Sequence, residues 1–268
     1  MTMHVLDEAI ALEPAGEHQW TGRTHSEYAN FIGPYGGVTA AQMVQAVMLH
    51  PQRVGEPVGL SINFAAAVAD GEFIIDARPA RTNRSTQHWI VQMLQGGQAV
   101  TTATLMTAVR RDTWSTVEAQ MPQVPAPEAV EREHIRGVKW IQHYERRFIE
   151  GNVPSEWDGS DLGHSRTRLW LRDVPQRALD FPSLTALADN FFPRLWLRRA
   201  TRTPIGTVSM TVYYHADATM MQALDGGYLL AQVQGQGFRN GYLDHSGALW
   251  NQTGELLATT HQLMYYKE

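Results

Sequence analysis

The chain has 268 residues, 43% of them hydrophobic and 18% charged, which suits two globular units of about 100 to 150 residues each. Its net charge of -5 gives no broad electrostatic reason to bind nucleic acid. The absence of cysteine excludes a disulfide scaffold, a thiolate nucleophile and a cysteine-based zinc site, and the 11 histidines show no His-Glu-x-x-His spacing, so neither a metal nor another cofactor is expected.

In chain order, Met1 to Glu8 carries Asp7 and Glu8 and lacks the basic and then apolar regions of a signal peptide. No run approaches the roughly 18 to 20 apolar residues needed to span a bilayer, so the expectation is a soluble cytoplasmic protein without membrane insertion. His18 to His25 reads as a strand, and Tyr35 to Leu49 as a helix. Four strands follow at Pro57 to Val68, Glu72 to Arg81, Thr86 to Leu94 and Ala99 to Val109, punctuated by Asp70-Gly71 and Gly96-Gly97. Met121 to Glu133 is proline-rich, charged and without strand periodicity, which marks a linker. Beyond it, Trp140 to Phe148 and Thr167 to Arg172 read as strands and Pro182 to Phe192 as a helix. Thr207 to His215, Tyr228 to Gln236, Gly241 to Trp250 and Leu256 to Tyr266 complete the second set of strands.

The same order of elements thus occurs twice, and two short echoes support a duplication. Thr101 to Met106 (Thr-Thr-Ala-Thr-Leu-Met) is echoed by Thr259 to Met264 (Thr-Thr-His-Gln-Leu-Met), which sets Gln262 against Thr104. Asp70 to Ile75 is echoed by Asp225 to Leu230 in its turn, its aromatic and its aliphatic pair. The expected units are an N-terminal domain at 1–120, a proline-rich linker at 121–136 and a C-terminal domain at 137–268. The fold class is α+β, with two antiparallel sheets each wrapping one central helix.

Gly33-Pro34-Tyr35-Gly36-Gly37 opens the first helix on small residues. Asp189-Asn190 lies on the second helix, Thr207 begins a strand, and Gln262 sits in the last strand. In these residues the chain resembles the acyl-CoA thioesterase II family, over about His18 to Tyr266. The resemblance implies a tandem, or double, hot-dog fold and hydrolysis of fatty acyl-CoA by a water that Asp189, Thr207 and Gln262 hold. It also implies that homo-oligomers larger than the single chain occur.

The two helices have diverged in complementary ways. The first opens on the glycine pair and has Val44 near the level of Asp189. The second carries the carboxylate but opens on Asp180-Phe181. A helix start with bare glycine backbone offers N–H donors and a favourable dipole to the oxygen of a thioester carbonyl. Gly36 or Gly37 is therefore the expected oxyanion and substrate-binding site, with Asp189 as base and Gln262 and Thr207 positioning the water.

Each residue also has a plain structural alternative. Asp189 could be an exposed helix position, Gln262 a solvent-facing strand residue, Thr207 a strand former rivalled by Ser209 and Thr211, and Gly36-Gly37 a simple turn. Asp244-His245-Ser246 is read as a turn, because adjacent residues point in different directions and cannot form a relay. Arg81, Arg84 and Arg239 are surface candidates for the CoA phosphates. Two other functions stay open: a non-catalytic acyl-CoA or lipid-binding protein, and a hydratase or dehydratase of hydroxyacyl thioesters, for which no histidine lies near Asp189 in sequence.

Overall fold

A computed structural model describes residues 3–134 and 137–268. A short helix α1 (Val5–Ala9) and strands β1 (Glu13–Pro14) and β2 (Gln19–Arg23) precede the first central helix, α2 (Gly36–Met48). Four strands follow: β3 (Glu56–Phe64), β4 (Glu72–Thr82), β5 (Thr86–Gln95) and β6 (Gln98–Ala108). The second half contains β7 (Tyr144–Glu150), β8 (Thr167–Asp173), α3 (Phe181–Leu187), α4 (Leu195–Arg198), β9 (Ile205–Tyr214), α5 (Ala218–Gln222), β10 (Leu229–Arg239), β11 (Tyr242–Asn251) and β12 (Leu256–Tyr266).

The two expected sheets are halves of one. Antiparallel pairing of β3 with β9, centred on Ser61 opposite Thr211, joins them into a 12-stranded sheet of order β1-β2-β4-β5-β6-β3-β9-β12-β11-β10-β8-β7. Read outward from the seam, the order 3-6-5-4-2 on one side corresponds to 9-12-11-10-8 on the other, so the duplication is visible in topology. Period-2 patterning drives this arrangement. In β5, Gln87, Trp89, Val91 and Met93 are buried on the inner face while His88, Ile90 and Gln92 face solvent. The inner faces of both halves close over α2 and α3, which pack against each other in one continuous apolar core.

The sequence echoes, by contrast, are out of phase with the fold. Thr104 is exposed on the outer face, whereas Gln262 is buried on the inner one. Ile74 is likewise exposed, whereas Leu229 is buried in the core. A slip of one residue moves a strand's whole apolar set to the other face, so neither echo is a structural equivalence. Ala103 and Leu105 are the inner-face residues of β6 that flank Thr104. Gln262 therefore has apolar counterparts in the first half rather than a threonine.

The segment expected as a linker runs as a strap over the outer face of the second half. Trp250 Nε1 donates to Ala119 O (3.0 Å), Trp170 Nε1 to Pro125 O (2.9 Å), and Arg147 Nη1 to Pro127 O and Val130 O. Met121, Val124 and Val130 cover Trp170, Tyr228 and Leu230, apolar residues that would otherwise face water. Each such large side chain stabilises by about 1.5 to 3 kcal/mol when fully buried. The final two positions of the expected 121–136 linker lie outside the described residues.

Candidate active site

Helix α3 is shorter than its apolar sequence suggests. Asp180 and Ser183 form a capping box at its start, and it ends at Leu187 instead of continuing to Phe192. After Ala188, whose amide still bonds Leu184 O, three amides make tightening bonds, Asp189 N–H to Ala186 O, Asn190 N–H to Leu187 O and Phe191 N–H to Asp189 O, and Pro193 disfavours helix just before itself. Asp189 thus sits in the turn after α3 and not within a helix.

That turn meets the first turn of α2. Tyr35, the N-cap of α2, stacks on Trp140 with centroids 4.0 Å apart and donates its hydroxyl to Ala186 O at 2.6 Å. Both glycines are needed for this approach. A Cβ on Gly36 would lie 3.0 Å from Asp189 Oδ2, and one on Gly37 would lie 2.6 Å from the Tyr35 ring. Gly33 serves the preceding loop: its φ is +67°, and a Cβ there would come within 2.7 Å of Val68 O.

Helix α2 has no acidic residue in its first turn and no side-chain cap of its own. The Asp189 carboxylate, arriving from the other half, lies near the Gly37 amide at this open helix start, where the helix dipole favours negative charge. From the sheet side, Gln262 Nε2 donates to Asp189 Oδ1 at 2.8 Å. Asp189 is 8% exposed and Gln262 1%. Burial raises the Asp189 pKa to about 7, while the Gln262 hydrogen bond and the nearby Gly37 amide oppose the rise. The structure therefore brings together Asp189, Gln262, Gly36 and Gly37, four of the five expected site residues, from both halves.

Thr207 is less closely joined. It stands opposite Met264, which is buried on the inner face two residues beyond Gln262. A diagonal cross-strand step of this kind is about 7 to 8 Å, and the Thr207 hydroxyl makes no hydrogen bond to Asp189 or Gln262 among the described residues. The register shift at Leu263/Met264 separates Thr207 from its expected rivals. Ser209 and Thr211 line a groove on the outer face, where the Thr211 and Ser61 hydroxyls lie 3.2 Å apart. Arg81, Arg84 and Arg239 sit at exposed positions beside the β4–β5 and β10–β11 turns.

One histidine, read from sequence as part of a turn, lies beside the site. His245 is mid-strand in β11, fully buried, and paired in register with Gln262. Apolar Leu243, two residues earlier, is the signal that put His245 in the inward phase. The Phe191 ring meets its imidazole edge-on at 5.9 Å. Among the described residues, no cluster of three or more His, Cys, Asp or Glu could hold a metal, and no helix is long and apolar enough to cross a membrane.

Comparison with known proteins places this geometry in context. No curated protein matches the sequence. A hot-dog-fold protein of unknown function from Alicyclobacillus acidocaldarius is similar at 43% identity, covering 100% of this chain and 99% of its own, with a TM-score of 0.94. The tesB protein of Mycobacterium avium subsp. paratuberculosis (18% identity, 98% of each chain, TM-score 0.80) and the acyl-CoA thioesterase II TesB2 of Mycobacterium marinum (14%, 98% of each chain, 0.77) share the fold. Residues 24–109 match the acyl-CoA thioesterase N-terminal domain, and residues 118–266 match the acyl-CoA thioesterase C-terminal domain. A tandem hot-dog fold with both domains matched in order makes this chain a member of the acyl-CoA thioesterase family.

Proposed function

We propose that the protein hydrolyses fatty acyl-CoA thioesters to the free acid and CoA, with Asp189 as general base for the attacking water. The observation that carries this reading is a buried carboxyl held between the Gln262 amide and the start of α2, where burial pushes its pKa up to about 7. A base poised near the working pH combines a useful ionised fraction with a strong pull on the proton. Water bound to the carboxylate loses a proton to Asp189 as its oxygen attacks the thioester carbon. Negative charge then develops on the carbonyl oxygen, which the first amides of α2, at Gly36 and Gly37, are suited to meet. Collapse expels the CoA thiolate, which takes the proton back from Asp189, and no acyl-enzyme is needed. Gln262 orients the carboxylate, and Thr207, on the same inner face, offers a hydroxyl to the water. Domain boundaries at 1–120 and 137–268, with the strap between them, follow from the same reading.

The test is release of free CoA from a panel of saturated acyl-CoAs by the native protein and by Asp189→Asn. The native protein should turn over and the variant should not. Binding of acyl-CoA without CoA release by the native protein would identify a binding protein. Conversion of an enoyl-CoA to a hydroxyacyl-CoA would identify a hydratase.

A further inference from the structure

Several buried polar side-chain atoms, in the turn that carries Asp189 and on the strands β11 and β12, have no hydrogen-bond partner among the described residues. They are both ring nitrogens of His245, both side-chain polar atoms of Asn190, Gln262 Oε1 and Thr260 Oγ1. His245 is 0% exposed and Asn190 1%. Their placement on one face follows from the register. His245 pairs with Gln262 across β11 and β12, and Gly247 pairs with Thr260 one step along the same face. The Phe191 ring reaches both levels, edge-on to His245 and 3.5 Å from where a Gly247 Cβ would lie. Asn190 is the residue between Asp189 and Phe191.

Buried donors and acceptors left unmatched are destabilising, and folded proteins rarely carry so many without a compensating ligand or water. An apolar acyl tunnel would need no such groups. Cross-strand neighbours hold their Cβ atoms about 4.5 to 5.5 Å apart, so the imidazole stands one side chain away from the glutamine that touches the catalytic carboxylate. A hydrogen-bonding group on a substrate seated at Asp189 would meet this face first through His245. Burial, together with the charges of Arg194 and His261, holds the His245 pKa well below its ordinary value. A neutral imidazole presents one donor and one acceptor, the complement of a hydroxyl.

We propose that His245 forms a polar subsite that selects acyl-CoAs bearing a hydroxyl close to the thioester over their unsubstituted counterparts. This subsite rests on the thioesterase reading for its place beside Asp189. His245 acts on selectivity by touching the acyl chain and takes no part in the proton transfer.

The experiment compares 3-hydroxybutanoyl-CoA with butanoyl-CoA as a matched pair. For the native protein, His245→Leu and His245→Gln, kcat and KM are measured with both. For Asp189→Asn, with and without His245→Leu, the dissociation constants of both thioesters are measured. The native protein should favour the hydroxyacyl substrate by about tenfold or more in kcat/KM, the scale of one well-made hydrogen bond. His245→Leu should bring that ratio near one, mainly through KM, and His245→Gln should restore much of it. In the Asp189→Asn background the same preference should appear in binding and vanish with His245→Leu.

Hydrolysis of both substrates with equal efficiency, or with the same ratio in the native protein and His245→Leu, overturns the subsite and leaves the thioesterase reading standing. Absence of hydrolysis, with tighter binding of the hydroxyacyl thioester that depends on His245, overturns the thioesterase reading and leaves the subsite. Neither hydrolysis nor selective binding overturns both.

Discussion

The two central helices begin from one duplicated plan and end in opposite chemical states. Helix α3 supplies its own cap, Asp180, with Ser183 closing the box, and α2 supplies none. Helix α2 runs for 13 residues, while α3 stops after seven and turns. The early stop is what frees Asp189 to leave the helix and meet the uncapped glycines of α2. A helix end with an internal cap is satisfied and inert. One left open can take a carboxylate from a neighbour, and that carboxylate, buried and close to neutral pH in its titration, is available for chemistry.

The largest effect should come from removing that carboxylate. Asp189→Asn keeps the volume and the neutral hydrogen-bonding capacity of the site but cannot take a proton. CoA release should fall by about 10² to 10⁴, the usual contribution of a positioned base. If Asp180→Asn, the matching change at the α3 cap, lowers kcat comparably, the division between an inert and an active helix end is wrong.

Gly36→Ala tests the approach itself. The added methyl would lie 3.0 Å from Asp189 Oδ2, so the carboxylate must shift by a few tenths of an ångström. A misplacement of about 1 Å costs about 10² in rate, and this smaller shift should cost less. The expected result is a folded protein with an unaltered circular dichroism spectrum and a kcat lowered by less than that factor.

Gln262→Leu sharpens the electrostatic side of the comparison. The Gln262 amide opposes the burial-driven rise in the Asp189 pKa, so removing it should move the titration further above 7. The base is active when ionised, which means kcat/KM rises with pH through this titration. In the variant the rising limb should lie at higher pH than in the native protein, with activity lost at neutral pH and partly recovered at alkaline pH. An unmoved limb would show that the titration belongs to another group.

These expectations also show how much the sequence could reveal. Strand positions were legible because runs rich in β-branched, aromatic and aliphatic residues lie between turn signals such as Asp70-Gly71 and Gly96-Gly97. The family resemblance pointed to Asp189 and Gln262 as well as to the glycine pair. The end of α3 was hidden, since Leu184 to Phe192 is apolar enough to read as continuing helix and the stop depends on a turn completed by main-chain bonds. The phase of the repeats was hidden for a different reason. Matching letters in Thr-Thr-x-x-Leu-Met ignores the face each residue occupies, and a slip of one residue reverses it. His245 was masked by its neighbours: Asp244 and Ser246 read as turn residues, and only the pairing of β11 with β12 shows the imidazole beside Gln262.

The smallest expected effect is on stability, and it follows from the same carboxyl. The folded pKa of Asp189, about 7, lies above the ordinary aspartate value of 3.8. Between those values the native chain holds a proton that the unfolded chain has released, so this group's contribution to stability falls as pH rises from about 4 to about 7 and stays constant above. Asp173, also raised to about 7 by burial, imposes a similar slope on any form of the protein. The difference between the native protein and Asp189→Asn therefore isolates Asp189. Urea titrations at pH 5 and pH 8 should show the variant gaining on the native protein at the higher pH, because a buried negative charge is absent from it. A gain of the same size at both pH values would mean that Asp189 is already ionised at pH 5, and the stabilisation of the carboxylate by Gln262 and the uncapped end of α2 would then at least balance its burial.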